Sequence, residues 1–287
     1  MAPGASPAPA SPGRSVVFYT PRGFSTILNA VKQNNNPANS YYFTVGGPIE
    51  NKTAVRPDPL YQQISGAAAN MHPLAEFNLS AWAHKPGTWL QKGEEFRQEM
   101  AAAGLAPNTE WDINEAGSGM RAKSEADRNH LINLIKGLYH GSNGMAPDQG
   151  FVFQQGPGYS QGLKHFLGDT KFWGAIKQAV KAYMPETYAS PVRFEHQTAK
   201  QQRNYLLKAL ANPELKGPMM SAYWGDNSGY GNTYVPLGNM EHFVNREAKI
   251  ASSRPVEGFA WNGVPKGKSM TETTLLAQKL AAAAAGR

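Results

Sequence analysis

The segment 109–119, TEWDINEAGSG, combines carboxyl and amide side chains in a pattern suited to acid–base chemistry. Apolar Trp and Ile alternate with polar residues, which indicates a strand with one face toward helices and the other toward the axis of a barrel. On that second face we expect Glu110, Asp112 and Asn114. Glu115 follows at the exit of the strand, before a flexible Ala-Gly-Ser-Gly turn. Burial and a neighbouring anion would keep such a carboxyl group protonated, so that it can act as an acid.

One reaction that such groups could serve is cleavage of a glycosidic bond, which needs two carboxyl groups in different protonation states. Glu115 is the first candidate for one of the two. The second carboxylate attacks the anomeric carbon or activates water; Asp226 is the first choice, Glu195 the second and Asp112 the third. A separation of about 5 Å predicts retention of configuration, and about 6.5–9.5 Å predicts inversion.

Each of these carboxylates also has a structural interpretation. Glu115 could cap the following loop or pair with Arg121. Asp226 lies in a Gly/Asn/Ser turn, where Asp is favoured for hydrogen bonds to its own backbone. Glu195 would lie before a helix, where the dipole stabilises an anion. Both interpretations stay open at this point.

The expected ligand is a carbohydrate, because amides, carboxylates and aromatics follow the predicted strands. Amides and carboxylates fix hydroxyl groups, and aromatic rings cover the C–H faces of a sugar. Three of the six tryptophans fall at strand exits, which favours a stacking surface. The predicted substrate-binding residues are Asn114, Asp112, Trp82, Trp224, Trp261, Asn78, Tyr230 and His196.

The elements that must position these residues alternate between short apolar runs and helical patterns, as in βα units around a parallel sheet. Strands are predicted at 15–19, 41–45, 74–82, 109–114, 151–154, 187–190, 219–224 and 258–261. Helices are predicted at 23–32, 60–69, 89–103, 124–139, 171–183, 198–210, 237–250 and 272–285. Eight such pairs suit a barrel, which needs about 250 residues, better than an open sheet of about five to seven strands. We predict an α/β fold: a single (β/α)₈ TIM barrel over 15–287 that follows a flexible Ala/Pro/Ser/Gly-rich tail at 1–14.

Asn-Glu at the end of the fourth of eight strands resembles the clan A glycoside hydrolases, which are barrels with that pair at that place. The resemblance implies that Glu115 is the acid/base and that Asn114 holds a sugar hydroxyl. Trp261 resembles the tryptophan that often forms the floor of the site in that clan. The clan also has a Glu nucleophile after strand 7, whereas this sequence reads MMSAYWGDNSGYGN and offers Asp226 as the nearest carboxylate.

Composition narrows the classes of function. The chain has no cysteine, which excludes disulfides, thiolate metal sites and a cysteine nucleophile. The net charge is +7, but the Lys and Arg residues are scattered, so we expect neither a nucleic-acid nor a membrane partner. No Gly-x-Ser-x-Gly elbow, HExxH motif or phosphate-binding loop is present, so no metal or other cofactor is expected.

We therefore predict a monomeric glycosidase that degrades a polysaccharide or glycan. The first 14 residues are interpreted as a mature N-terminus left after signal removal, which makes the enzyme a secreted, bacterial-type one. Two other functions stay open. A barrel that binds carbohydrate without cleaving it would explain the absence of the strand-7 Glu. A barrel lyase or metal-dependent hydrolase is the third possibility.

Overall fold

Eight parallel strands close into a barrel in sequence order, with β8 paired to β1. The computed structural model describes residues 13, 15–19, 24–45, 59–114, 125–140, 150–154, 170–176, 178–187, 220–223, 258–262, 278, 281, 282 and 285. The strands are β1 (Ser15–Tyr19), β2 (Ser40–Val45), β3 (Met71–Asn78), β4 (Glu110–Asn114), β5 (Gly150–Gln154), β6 (Val180–Thr187), β7 (Met220–Tyr223) and β8 (Gly258–Asn262). The predicted TIM barrel is confirmed.

Helices in the described ranges lie between the strands. They are α1 (Phe24–Gln33), α2 (Pro59–Ser65), α3 (Leu79–Ala83), α4 (Trp89–Ala102), α5 (Glu125–His140) and α6 (Thr170–Ile176). None of these combines the length and the apolar character that crossing a bilayer requires. The helices predicted at 198–210 and 237–250 lie outside the described residues, and so does the predicted tail at 1–14 apart from Gly13.

Several predicted boundaries are wrong. The third strand was expected to run to residue 82, but it ends at Asn78, whose side chain accepts a 2.9 Å hydrogen bond from the Ala81 amide and so starts α3. The helix predicted at 171–183 corresponds to α6, which ends at Ile176. Val180 begins β6 instead, because this segment pairs with β5. The sixth strand is therefore Val180–Thr187 and not 187–190.

The packing between α4 and α5 depends on glycine. A Cβ added to Gly93 would lie 2.5 Å from the carbonyl oxygen of Leu134, and one added to Gly137 would overlap the carbonyl oxygen of Leu90. Real side chains cannot approach backbone so closely, so these glycines let the two helices touch. On α5 the predicted apolar face is confirmed, since Leu131, Leu134, Ile135 and Leu138 are at most 1% exposed.

A network of asparagine side chains holds together the loops that enter β2 and β3. Asn70 donates to the carbonyl oxygens of Asn39 at 2.8 Å and Asn36 at 3.1 Å, and its amide also pairs with that of Asn35. Asn36 in turn donates to the carbonyl oxygen of Ala285 at 3.0 Å. The network thus ties the closing helical residues to the N-terminal end of the barrel.

Candidate active site in the barrel

Contacts across the barrel identify the inner face of β4. The Glu110 carboxylate accepts a 3.4 Å hydrogen bond from the Tyr42 hydroxyl of β2, and it lies 4.0 Å from the Lys181 ammonium of β6. Strands β2, β4 and β6 are not neighbours in the sheet, so these side chains meet in its interior. Alternation along the strand puts Asp112 on the same face as Glu110. Trp111 lies on the outer face of β4, as predicted from the sequence, and its ring packs against Gly150, where a side chain would collide with it.

Asp112 has a carboxylate neighbour in the barrel interior. The register of the sheet pairs Asp112 with Glu76 of the neighbouring strand β3. Asp112 is 0% exposed and Glu76 is 4% exposed. Strands in a sheet lie about 4.8 Å apart, so two acidic side chains share this level of the barrel. Complete burial favours a supporting role for Asp112 below the strand exits over direct contact with a substrate.

The N-terminal end of the barrel interior holds a second polar group, formed by Tyr42, His72, Glu110 and Lys181. The Lys181 ammonium donates to the Tyr42 hydroxyl, which donates to Glu110. The His72 and Tyr42 rings are 5.2 Å apart. Burial lowers the pKa of His72; the Lys181 charge adds to this effect, and the Glu110 charge opposes it. No signal in the sequence marks this group beyond the polar positions of the strands.

Trp82 is not part of a sugar-stacking surface. It lies in α3, is 1% exposed and stacks on Phe77 at 5.0 Å between ring centroids. Its ring also meets Phe96 of α4 edge-on at 5.9 Å. Because β3 ends at Asn78, Trp82 falls one helical turn beyond the exit and packs between the sheet and α4. The prediction of Trp82 as a substrate-binding residue is therefore wrong.

Asn78 has a structural role at the exit of β3, because its side-chain oxygen accepts the hydrogen bond that caps α3.

Lys85, just beyond α3, forms ion pairs with α4. Its ammonium lies 2.8 Å from Glu95 and 3.0 Å from Glu99. Burial works against the charge of Lys85, but the hydrogen bonds that its ammonium donates to Glu95 and Glu99, together with their charges, outweigh burial and raise the pKa of Lys85. The loop from β3 to α4 is thus fixed at both ends.

Most of the predicted catalytic and binding residues lie outside the described part of the chain. These are Glu115, Glu195, Asp226, Trp224, Tyr230 and His196. Asn114 and Trp261 are described through their backbones only: Asn114 pairs with Asn78, and Trp261 pairs with Phe18 and Ala222. The roles assigned to all eight stay predictions. Within the described ranges, no three His, Asp or Glu residues form a group that could hold a metal ion.

The comparisons support the barrel and the clan resemblance at the level of the fold. No protein-family model matches the sequence, and no curated protein does. Among solved structures, the β-mannanase of Thermomonospora fusca matches with a TM-score of 0.51 and 12% identity, over 92% of this chain and 82% of that enzyme. Its mannotriose complex matches at 0.50 and 12%, over 91% and 82% of the chains. A glucosidase from Croceicoccus marinus matches at 0.52 and 11%, over 88% and 63%.

At identities of 11–12%, these matches show a shared architecture. The chain has the fold of the barrel glycoside hydrolases, and in fold it resembles clan A.

Proposed function

We propose that this protein is a glycoside hydrolase that cleaves a polysaccharide or glycan with two carboxyl groups. The observation that carries the proposal is the place of β4. It is the fourth strand of a closed barrel, its interior face bears Glu110 and Asp112, and it ends at Asn114. Glu115 is the next residue in the sequence. Functional residues of such barrels follow the carboxyl ends of the strands.

In the proposed reaction, Glu115 protonates the glycosidic oxygen and Asn114 binds a sugar hydroxyl. Asp226 or Glu195 acts as the second carboxylate, and Asp112 ranks last because it is fully buried. A carboxylate charge nearby would favour the protonated form of Glu115. Trp224, Trp261, Tyr230 and His196 are proposed to line the sugar site.

The test of Glu115 is the substitution Glu115→Gln, with Glu125→Gln as the matched control. Glu125 lies on α5 with its side chain 71% exposed, so its loss should leave activity unchanged. Reducing ends released from a panel of soluble polysaccharides, β-mannan included, are measured for each variant. Loss of an acid/base or nucleophilic group typically lowers the rate by about 10²–10⁴-fold or more. A Glu115→Gln rate within a few-fold of wild type would refute the assignment.

The second carboxylate is identified by Asp226→Asn and Glu195→Gln in the same assay. NMR of the first anomer released then gives retention or inversion, which reports the carboxyl separation.

A non-catalytic barrel that binds carbohydrate is the second candidate, because no Glu follows β7 in the sequence MSAYWGDNSGYGN. Binding of the same polysaccharides with no release of reducing ends, by wild type and Glu115→Gln alike, would favour this alternative.

A further inference from the structure

The polar group at the N-terminal end of the barrel interior takes no part in the proposed reaction. Its members come from four strands: Tyr42 from β2, His72 from β3, Glu110 from β4 and Lys181 from β6. Glu110 is the first residue of its strand, and His72 and Lys181 are each the second of theirs. The group thus spans the floor of the barrel, opposite the strand exits.

The group consists of a hydrogen-bonded chain of three side chains with a histidine beside it. Lys181, Tyr42 and Glu110 form a chain in which the ammonium donates to the hydroxyl and the hydroxyl donates to the carboxylate. His72 lies beside that chain, in register with Tyr42. Among the described residues, the titratable groups that face His72 are Tyr42, Glu110 and Lys181, one from each of the other three strands.

We propose that His72 is an acid-responsive switch in the barrel floor, which loosens the Lys181–Tyr42–Glu110 chain when its imidazole takes up a proton. An imidazolium at this place is repelled by the Lys181 ammonium. It also competes with Tyr42 and Lys181 for the Glu110 carboxylate, the anion they share. Since the chain joins β2, β4 and β6, its loss weakens contacts across the barrel.

The direction of the pH effect follows from burial. Burial and the Lys181 charge hold the pKa of His72 below its usual value of 6.5. The unfolded chain, with its ordinary histidine, therefore binds the proton first as the pH falls. The contribution of His72 to stability is complete above about pH 6.5, and it is lost as the pH falls from there through the pKa in the folded state.

Thermal unfolding of the full chain between pH 8 and pH 5 tests the switch. Wild type is compared with His72→Gln and with His130→Gln, which removes an exposed imidazole from α5 as the matched control. We expect the acid-induced fall in Tm to be smaller in His72→Gln than in wild type. The Tm of His130→Gln should show the same pH dependence as that of wild type. Parallel curves for wild type and His72→Gln would overturn the proposal.

A direct titration covers the case in which His72→Gln does not fold. The imidazole signal of His72 is followed by NMR in wild type and in Lys181→Met. A pKa below 6.5 in wild type that rises when the ammonium is removed supports the switch. A His72 pKa at or above 6.5, or one that does not respond to Lys181→Met, contradicts it. Both measurements are independent of carbohydrate cleavage.

Discussion

Replacement of Trp82 by alanine separates a core tryptophan from a ligand-binding one. The ring is 1% exposed and packs on Phe77 and Phe96, while the Lys85 ammonium lies 3.7 Å from its centroid. Truncation of a buried tryptophan costs about 3–5 kcal/mol, and the lost cation–π contact adds about 0.5–1 kcal/mol. We therefore expect Trp82→Ala to lower the free energy of unfolding by about 3.5–6 kcal/mol and Tm by roughly 7–24 °C.

The assay is urea unfolding followed by far-UV circular dichroism, with the free energy extrapolated linearly to zero urea. Trp89→Ala is the matched control, because Trp89 is partly exposed at the start of α4 and contacts Lys92 and His130. Its loss should cost about 1 kcal/mol. Carbohydrate affinity is measured on both variants. A Trp82→Ala protein within about 1 kcal/mol of wild type and with weakened carbohydrate binding would refute the core assignment.

Three further substitutions probe the scaffold. Arg97, 4% exposed, donates to the carbonyl oxygens of Thr109 at 2.9 Å and of Pro107, and burial lowers its pKa to about 10. Arg97→Met should cost about 2–4 kcal/mol in urea unfolding because two acceptors lose a charged donor, and a loss below about 0.5 kcal/mol would contradict this. Gly93→Ala should lower Tm by several degrees because α4 and α5 must separate, and an unchanged Tm would show that the helices adapt freely. Asn70→Ala should cost about 1–3 kcal/mol through lost hydrogen bonds to backbone, and equal urea midpoints would exclude that role.

Sequence periodicity was a reliable guide where one strand face is apolar and the other polar. In β4 the alternation alone predicted that Glu110 and Asp112 share the inner face, and the contact of Glu110 with Lys181 confirms the direction. The boundary at Val180 could not be predicted in the same way. The segment AVKAYM has the composition of a helix as much as of a strand, and pairing with β5 decides between them.

The candidate site was predictable only in part, for a related reason. Which residues follow a strand can be read along the chain, but which side chains meet across the barrel depends on closure. Lys181 and Tyr42 are 139 positions apart and touch because β2 and β6 face each other across the axis. The prediction for Trp82 was wrong for a local reason. Asn78 caps α3 and ends β3, so Trp82 lies one helical turn beyond the strand exit.

Along the described strands, polar side chains occupy part of the barrel interior. TIM barrels usually fill their interior with layers of branched apolar side chains. Here Glu76 and Asp112 are buried at one level, and Glu110 and Lys181 lie at another. Buried charge costs more than the apolar side chains it displaces, unless its partners offset that cost. Glu76 and Asp112 each lie two residues before the end of their strands, so their burial fits the reaction proposed at the strand exits, whereas Glu110 and Lys181 belong to the barrel floor.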